Sequence, residues 1–167
     1  LGFNLSAQTL SDPLLWDFVD GVIDRTRAPA SSIVFEITET AAVTNFKAAE
    51  QFILNARLRN CRVSLDDFGS GMSSFEYLRR FPIDSIKING SFVEHMATSR
   101  YDREIVAAII GIARSLGYAV VAEKIEKEET LAMLRDMGVD FGQGFLLHRP
   151  EALADLVART AHQARTA

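Results

Sequence analysis

The sequence predicts an α/β fold built on a parallel sheet, and three observations carry that reading. Apolar, β-branched runs alternate with helix-period segments from one end of the chain to the other, the pattern of strands joined by crossover helices. With 167 residues and 48% apolar side chains, the chain is long enough for one compact domain with a sizeable core. Polar residues recur at the C-terminal ends of the strand candidates, the edge on which βα barrels and open α/β sheets build their sites.

The elements follow one another regularly. A first strand, Gly2 to Leu5, leads to the helix SDPLLWDFVDGVIDR, with Ser11 or Asp12 as N-cap and Pro13 in its first turn. The strand Ile33 to Ile37 precedes NFKAAEQFILNARLRN, which opens with Asn45 and carries an apolar stripe through Phe52 and Ile53. Strands Val63 to Leu65 and Ser85 to Ile88 come next, then the helix SRYDREIVAAIIGIARSLG, ending at Gly117 as C-cap. Strand Ala119 to Ala122, helix KEETLAMLRDMG closing at Gly138, strand Phe141 to Leu147 and helix EALADLVARTAHQAR complete the chain. No linker or low-complexity segment interrupts the series, so a single domain over residues 1–167 is expected. Six strands fall two short of a closed eight-stranded barrel, which usually needs about 250 residues. Because the chain opens at Leu1 directly on a strand, a missing N-terminal portion is expected to hold the first strand and helix of the barrel.

Composition excludes several classes. A formal net charge of −4 and a pI near 5.4 argue against a basic groove for a nucleic-acid polymer, while leaving room for a small anion held through metal ions. The single cysteine, Cys61, cannot form an intramolecular disulfide and reads as a buried, inert thiol in a reducing compartment. No apolar run approaches about 18 residues and no signal peptide is present, which predicts a cytoplasmic domain whose parent protein is free to carry a membrane anchor elsewhere.

The stretch SLDDFGSGMSSFEYL places two carboxylates, Asp66 and Asp67, side by side at a strand end. Such a pair is costly to bury unless a cation shares it. Asn4, Glu36, Asp66 with Asp67, Lys87, Glu123 and Gln143 lie at or near the ends of different strands, so they are expected on one face. A lone acidic residue at a strand end is more often a helix cap or turn residue, but convergence from several strands favours a site. Glu36, Asp66, Asp67 and Glu123 with the Asn4 amide form a hard-oxygen set without a Cys or His cluster, which suits Mg²⁺ or Mn²⁺ rather than zinc. Two such ions, about 3.5 to 4 Å apart, would cancel the repulsion, supply a hydroxide nucleophile and neutralise a phosphate, which points to phosphoester chemistry. Lys87 fits as the proton-handling group if the ions offset the carboxylates that would otherwise raise its pKa. Glu39 has two readings, a solvated turn residue or an acceptor for backbone N–H groups of the glycine loop. That loop, Gly69 to Gly71, lacks the Lys-Ser/Thr of a phosphate cradle and reads as a turn over the site. His95, His148 and His162 read as surface or helix-terminal residues and not as ligands, and Trp16, Phe75 and Tyr77 as core.

These motifs, in this order, resemble the EAL domain family of bacterial cyclic-di-GMP phosphodiesterases over essentially the whole chain. FNLSA is similar to the family's NLSA segment, FEITET to its E-x-T-E strand end, and LDDFGSGMSSFEYLRRFPID to its DDFG loop 6 region. SIKINGSFV resembles the KID-x-SFV strand, AEKIEKEE the AEGVE strand, and DFGQGFLLHRP the QGY segment that ends in Arg-Pro. The resemblance implies a modified TIM-type (β/α)8 barrel, here its C-terminal three-quarters, that binds cyclic di-GMP and cleaves it to linear pGpG with two Mg²⁺ or Mn²⁺ ions. It implies metal ligands at Asn4, Glu36, Asp66, Asp67 and Glu123, and catalytic roles for Lys87, Gln143 and Glu39, the last through steadying loop 6, Asp67 to Ser74. It also implies substrate contacts at Asn4, Asp66, Lys87 and Pro150, a homodimer, and attachment to sensory or GGDEF-type domains. The chain departs from the pattern at four positions: Asn89 replaces the KID aspartate, Gly90 a common arginine, Lys124 the AEGVE glycine, and Phe145 the QGY tyrosine. The Glu-Ala-Leu signature, which supplies a further ligand, is expected upstream of Leu1. Two functions follow, an active phosphodiesterase or a degenerate domain that binds cyclic di-GMP as a receptor.

Overall fold

The computed structural model describes the backbone of residues 1–71 and 75–166, and the side chains of these except 75, 76 and 160–166; the expectations for Phe75 and His162 therefore lie outside the described residues. Six strands, β1 (Gly2–Leu5), β2 (Val34–Thr38), β3 (Arg62–Phe68), β4 (Ser85–Ile88), β5 (Ala119–Ala122) and β6 (Phe141–Gly142), form one sheet in sequence order, every neighbouring pair parallel. This is the sheet of a βα barrel left open, with β1 and β6 at its edges. Among the described residues the helices are α1 (Leu15–Thr26), α2 (Glu39–Thr44), α3 (Phe46–Leu58), α4 (Gly90–His95), α5 (Arg100–Leu116), α6 (Glu128–Asp136) and α7 (Leu153–Thr166).

Side chains alternate across each strand, and the two faces of the sheet differ sharply. Phe35, Ile37, Val63, Leu65, Ile86, Ile88, Val120 and Ala122 are buried beneath the helices. There they join Ala49, Phe52, Ile53 and Ala56 of α3 and Val106, Ile109, Ile110 and Ala113 of α5. Trp16 stacks on Phe52 with ring centroids 5.1 Å apart, which places it at this core as expected. The opposite, inner face carries Glu36, Ser64, Ser85, Lys87 and Gln143 around a cavity of about 330 Å³. The strand period alone thus separates the apolar layer from the polar one.

Local signals explain most boundaries. Ser99 caps α5 by accepting the Asp102 N–H, and Gly117 ends that helix at φ 76°, a conformation open to glycine at little cost. Cys61 is buried directly before β3, and burial pushes its thiol pKa up.

Three expectations need correction. Helix α1 begins at Leu15 instead of Ser11 or Asp12, because Thr9–Ser11 forms a 3₁₀ turn and Asp12 Oδ1 accepts the Leu14 N–H in a local turn. The strand expected over Phe141 to Leu147 pairs only through Gly142. The backbone then turns at Gly144, packed so closely on Ile125 that a Cβ would collide with the Ile125 backbone. Two short helices, α2 and α4, went unrecognised, each capped by the side chain of the residue before it, Thr38 and Asn89.

Candidate active site

Register brings the strand-end polar groups together. Asn4 lies beside Glu36, Thr38 beside Asp66, and Lys87 beside Val121, two residues short of Glu123. At the centre, the Lys87 ammonium donates to Glu36 Oε2 at 2.7 Å, Glu123 Oε1 at 2.8 Å and Asp66 Oδ1 at 3.0 Å. Burial acts against its charge, yet the hydrogen bonds to Glu123, Glu36 and Asp66 together outweigh it and raise the Lys87 pKa. Glu123 feels the converse: burial raises its pKa, Lys87 opposes that, and the nearby Asp66 and Asp67 reinforce it.

The Asp-Asp doublet meets a geometric obstacle, since neighbours on a regular strand point to opposite faces. The strand resolves it with a bulge: Leu65 pairs with Ile86, but Phe68 with Ile88, so β3 holds one more residue than β4 over this interval. Asp67 takes up the extra length at φ 54°, in the left-handed region. As a result Asp66, Asp67 and Glu123 offer carboxylate oxygens that all lie within 4.8 Å of one another. Asp67 is held further by Asn89, whose Nδ2 donates to Asp67 Oδ1 at 2.9 Å.

Glu39 is 2% exposed, at the first turn of α2. One of its oxygens accepts the Gly69 N–H at 2.9 Å and the other the Tyr77 hydroxyl at 2.6 Å. Burial and these bonds remove the reading of a solvated turn residue.

The remaining candidates lie further out. Gln143 lines the inner cavity with Glu36 and Lys87, its backbone tied to β5 and the following loop through Ala122 O and the Ile125 N–H. Asn4 is in register with Glu36 but exposed. Pro150 lines a neighbouring hollow of about 310 Å³ with Gln143, Phe145 and Arg149, away from the carboxylate cluster. His95 and His148 are exposed, as expected.

Four carboxylates, Glu36, Asp66, Asp67 and Glu123, face one ammonium, Lys87. The donors are hard oxygens, and the excess negative charge suits a divalent cation such as Mg²⁺ or Mn²⁺. Three contacts lay beyond the sequence reading, which named Asn89 and Lys124 only as departures from the family pattern. Tyr77 was read as core alone, although a buried Tyr hydroxyl needs a partner. The Asn-Gly-Ser run after β4 is a recognisable helix-start signal that could have revealed the cap at Asn89. The close contact of Lys124 with Gly90 carries no local signal: a Cβ on Gly90 would lie 2.5 Å from Lys124 Cγ and Cδ.

Comparison with known proteins places these observations in a family context. The EAL domain model matches residues 1–150. The chain is 34% identical to the cyclic di-GMP phosphodiesterase PdeB of Shewanella oneidensis, over 92% of this chain and 18% of that protein. It is 33% identical to the cyclic di-GMP phosphodiesterase PdeA of Borreliella burgdorferi, over 90% of this chain and 22% of that one. The chain therefore spans about a fifth of the length of these relatives. Among solved structures it resembles the PaMucR phosphodiesterase in complex with c-di-GMP, with a TM-score of 0.88, 34% identity, and coverage of 93% of this chain and 63% of that one. It also resembles Klebsiella pneumoniae BlrP1 in a manganese and cyclic-di-GMP complex, with a TM-score of 0.81, 29% identity, and coverage of 87% and 38% respectively.

Proposed function

The chain belongs to the EAL domain family, and on that premise we propose that it carries the site of a phosphodiesterase that hydrolyses cyclic di-GMP to linear pGpG with two Mg²⁺ or Mn²⁺ ions. The observation that carries this reading is the meeting of Asp66, Asp67 and Glu123 within 4.8 Å, next to the Lys87 network. It is supported by relatives named as cyclic di-GMP phosphodiesterases and by the manganese complex of a structural neighbour.

In this reading Asp66, Asp67, Glu36, Glu123 and Asn4 hold the ions. Bound there, divalent ions supply Lewis acidity, which offsets the charge of the phosphodiester and lowers the pKa of water. The chain's own residues do the rest. Lys87, an ammonium in the arrangement described, holds three carboxylates in place and is positioned to give a proton; acting as a base would require those carboxylates to release it. Gln143 orients water from the β6 side of the cavity. Glu39 keeps the start of the glycine loop in place through Gly69, and Asn4, Asp66, Lys87 and Pro150 contact the nucleotide. Residues 151–167 belong to the same domain in this reading. A homodimer and attached sensory or GGDEF-type domains belong to this proposal, as does a cytoplasmic location; among the described residues no helix is long and apolar enough to cross a membrane.

Asn89 favours a second reading, a receptor that binds cyclic di-GMP without cleaving it, since its amide engages one oxygen of Asp67. Incubation of the intact protein with cyclic di-GMP and Mn²⁺ decides between them. Formation of pGpG is the expected result, whereas saturable binding without product would leave the receptor.

A further inference from the structure

Asn89 does two things at once. Its Oδ1 accepts the Ser91 N–H at 2.9 Å and the Ser91 hydroxyl at 2.6 Å, which caps α4. With the oxygen so engaged, the amide nitrogen is directed at Asp67, and Nδ2 donates to Asp67 Oδ1 at 2.9 Å. The orientation of the amide is therefore set by its own hydrogen bonds. Asp67 in turn occupies the left-handed region, at φ 54°, inside the β3 bulge, a conformation that an aspartate holds at some cost. An aspartate at position 89 would keep the cap but turn an oxygen toward Asp67 Oδ1, a repulsion that a bound cation relieves.

We propose that Asn89 is a positioning residue that stands in for a cation at Asp67. It holds this carboxylate in the bulge without an ion and engages one of its two oxygens, which weakens Asp67 as a donor to a cation. The consequence, which rests on the two-ion reading above, is that this chain takes up two divalent ions in unequal steps, with the site that includes Asp67 the weaker. The departure from the family's KID aspartate is then a change in ion affinity before it is a change in chemistry.

The test is a titration of the intact protein with Mn²⁺ alone, in which free Mn²⁺ is followed by electron paramagnetic resonance, for the wild type and for Asn89→Asp. Two classes of site at least about tenfold apart are expected in the wild type, and Asn89→Asp should tighten the weaker class by about tenfold while leaving the tighter one within about threefold. Melting temperature gives a second readout: with chelator present Asn89→Asp should melt about 3 °C or more below the wild type, and saturating Mn²⁺ should close that gap. Two classes of site whose affinities do not change on Asn89→Asp would overturn the role of Asn89 and leave the two-ion reading standing. Absence of Mn²⁺ binding by either protein would overturn both.

Discussion

Glu39 and Tyr77, 38 residues apart, are joined by a 2.6 Å hydrogen bond, and through its other oxygen the same carboxylate accepts the Gly69 N–H. One buried side chain on α2 therefore ties the residue that begins the glycine loop to one that follows it. Gly69 stands two residues after Asp67, so this bond also fixes the exit of the bulge that presents the carboxylate pair.

Tyr77→Phe should remove the donor that Glu39 Oε1 has among the described residues and destabilise the fold by about 1 to 3 kcal/mol. Glu39→Ala should release the Gly69 amide and lower turnover of cyclic di-GMP. Denaturant unfolding and hydrogen exchange at Gly69 measure both effects, and unchanged exchange with unchanged turnover in Glu39→Ala would reduce the residue to packing.

Asp66→Asn removes a charge from the centre of the Lys87 network and from the cluster with Asp67 and Glu123. Hydrolysis should fall by about a hundredfold or more in a protein whose circular dichroism is unchanged. Near wild-type pGpG formation at saturating Mg²⁺ would remove Asp66 from the site.

Lys124 sits at φ 51°, where a side chain other than glycine is strained, and its stem covers Gly90. Lys124→Gly should therefore stabilise the protein by about 0.5 to 1 kcal/mol, the relief of the left-handed conformation exceeding the entropy of the added glycine. A loss of stability in urea would mean that the contact of the stem over Gly90 outweighs the strain.

Burial raises the Cys61 pKa, which has a definite sign for stability. The unfolded thiol ionises near its ordinary value of about 8.5, and the folded one does not, so this contribution is complete below that pH and is lost as pH rises through the folded value. Stability should fall above about pH 8.5, and Cys61→Ser should flatten that decline. Alkylation of the native thiol by iodoacetamide at pH 8 should wait on unfolding; rapid labelling of folded protein would contradict the buried site.

The edges of the sheet, β1 and β6, are unpaired among the described strands and carry the exposed Phe3 and Phe141. The chain should therefore self-associate in light scattering through these edges and turn over cyclic di-GMP slowly. A monodisperse, fully active monomer would be the opposite result.

Apolar runs such as those of Val63 to Leu65 and Ser85 to Ile88 determined by themselves that the chain is an alternating α/β protein with parallel strands, because local periodicity sets both element type and facing. The same period of two put Glu36, Lys87 and Glu123 on one side of the sheet. What followed from no local pattern was the meeting of particular atoms. Asp67 reaches the side of Asp66 only because β3 gains a residue against β4, and register is a property of two strands. Asn89 aims its amide at Asp67 across 22 residues of chain, and Glu39 reaches Gly69 and Tyr77 across 30 and 38. Such contacts depend on how the strands pair and how the helices settle on them, so only the tertiary structure decided which donors meet which carboxylates.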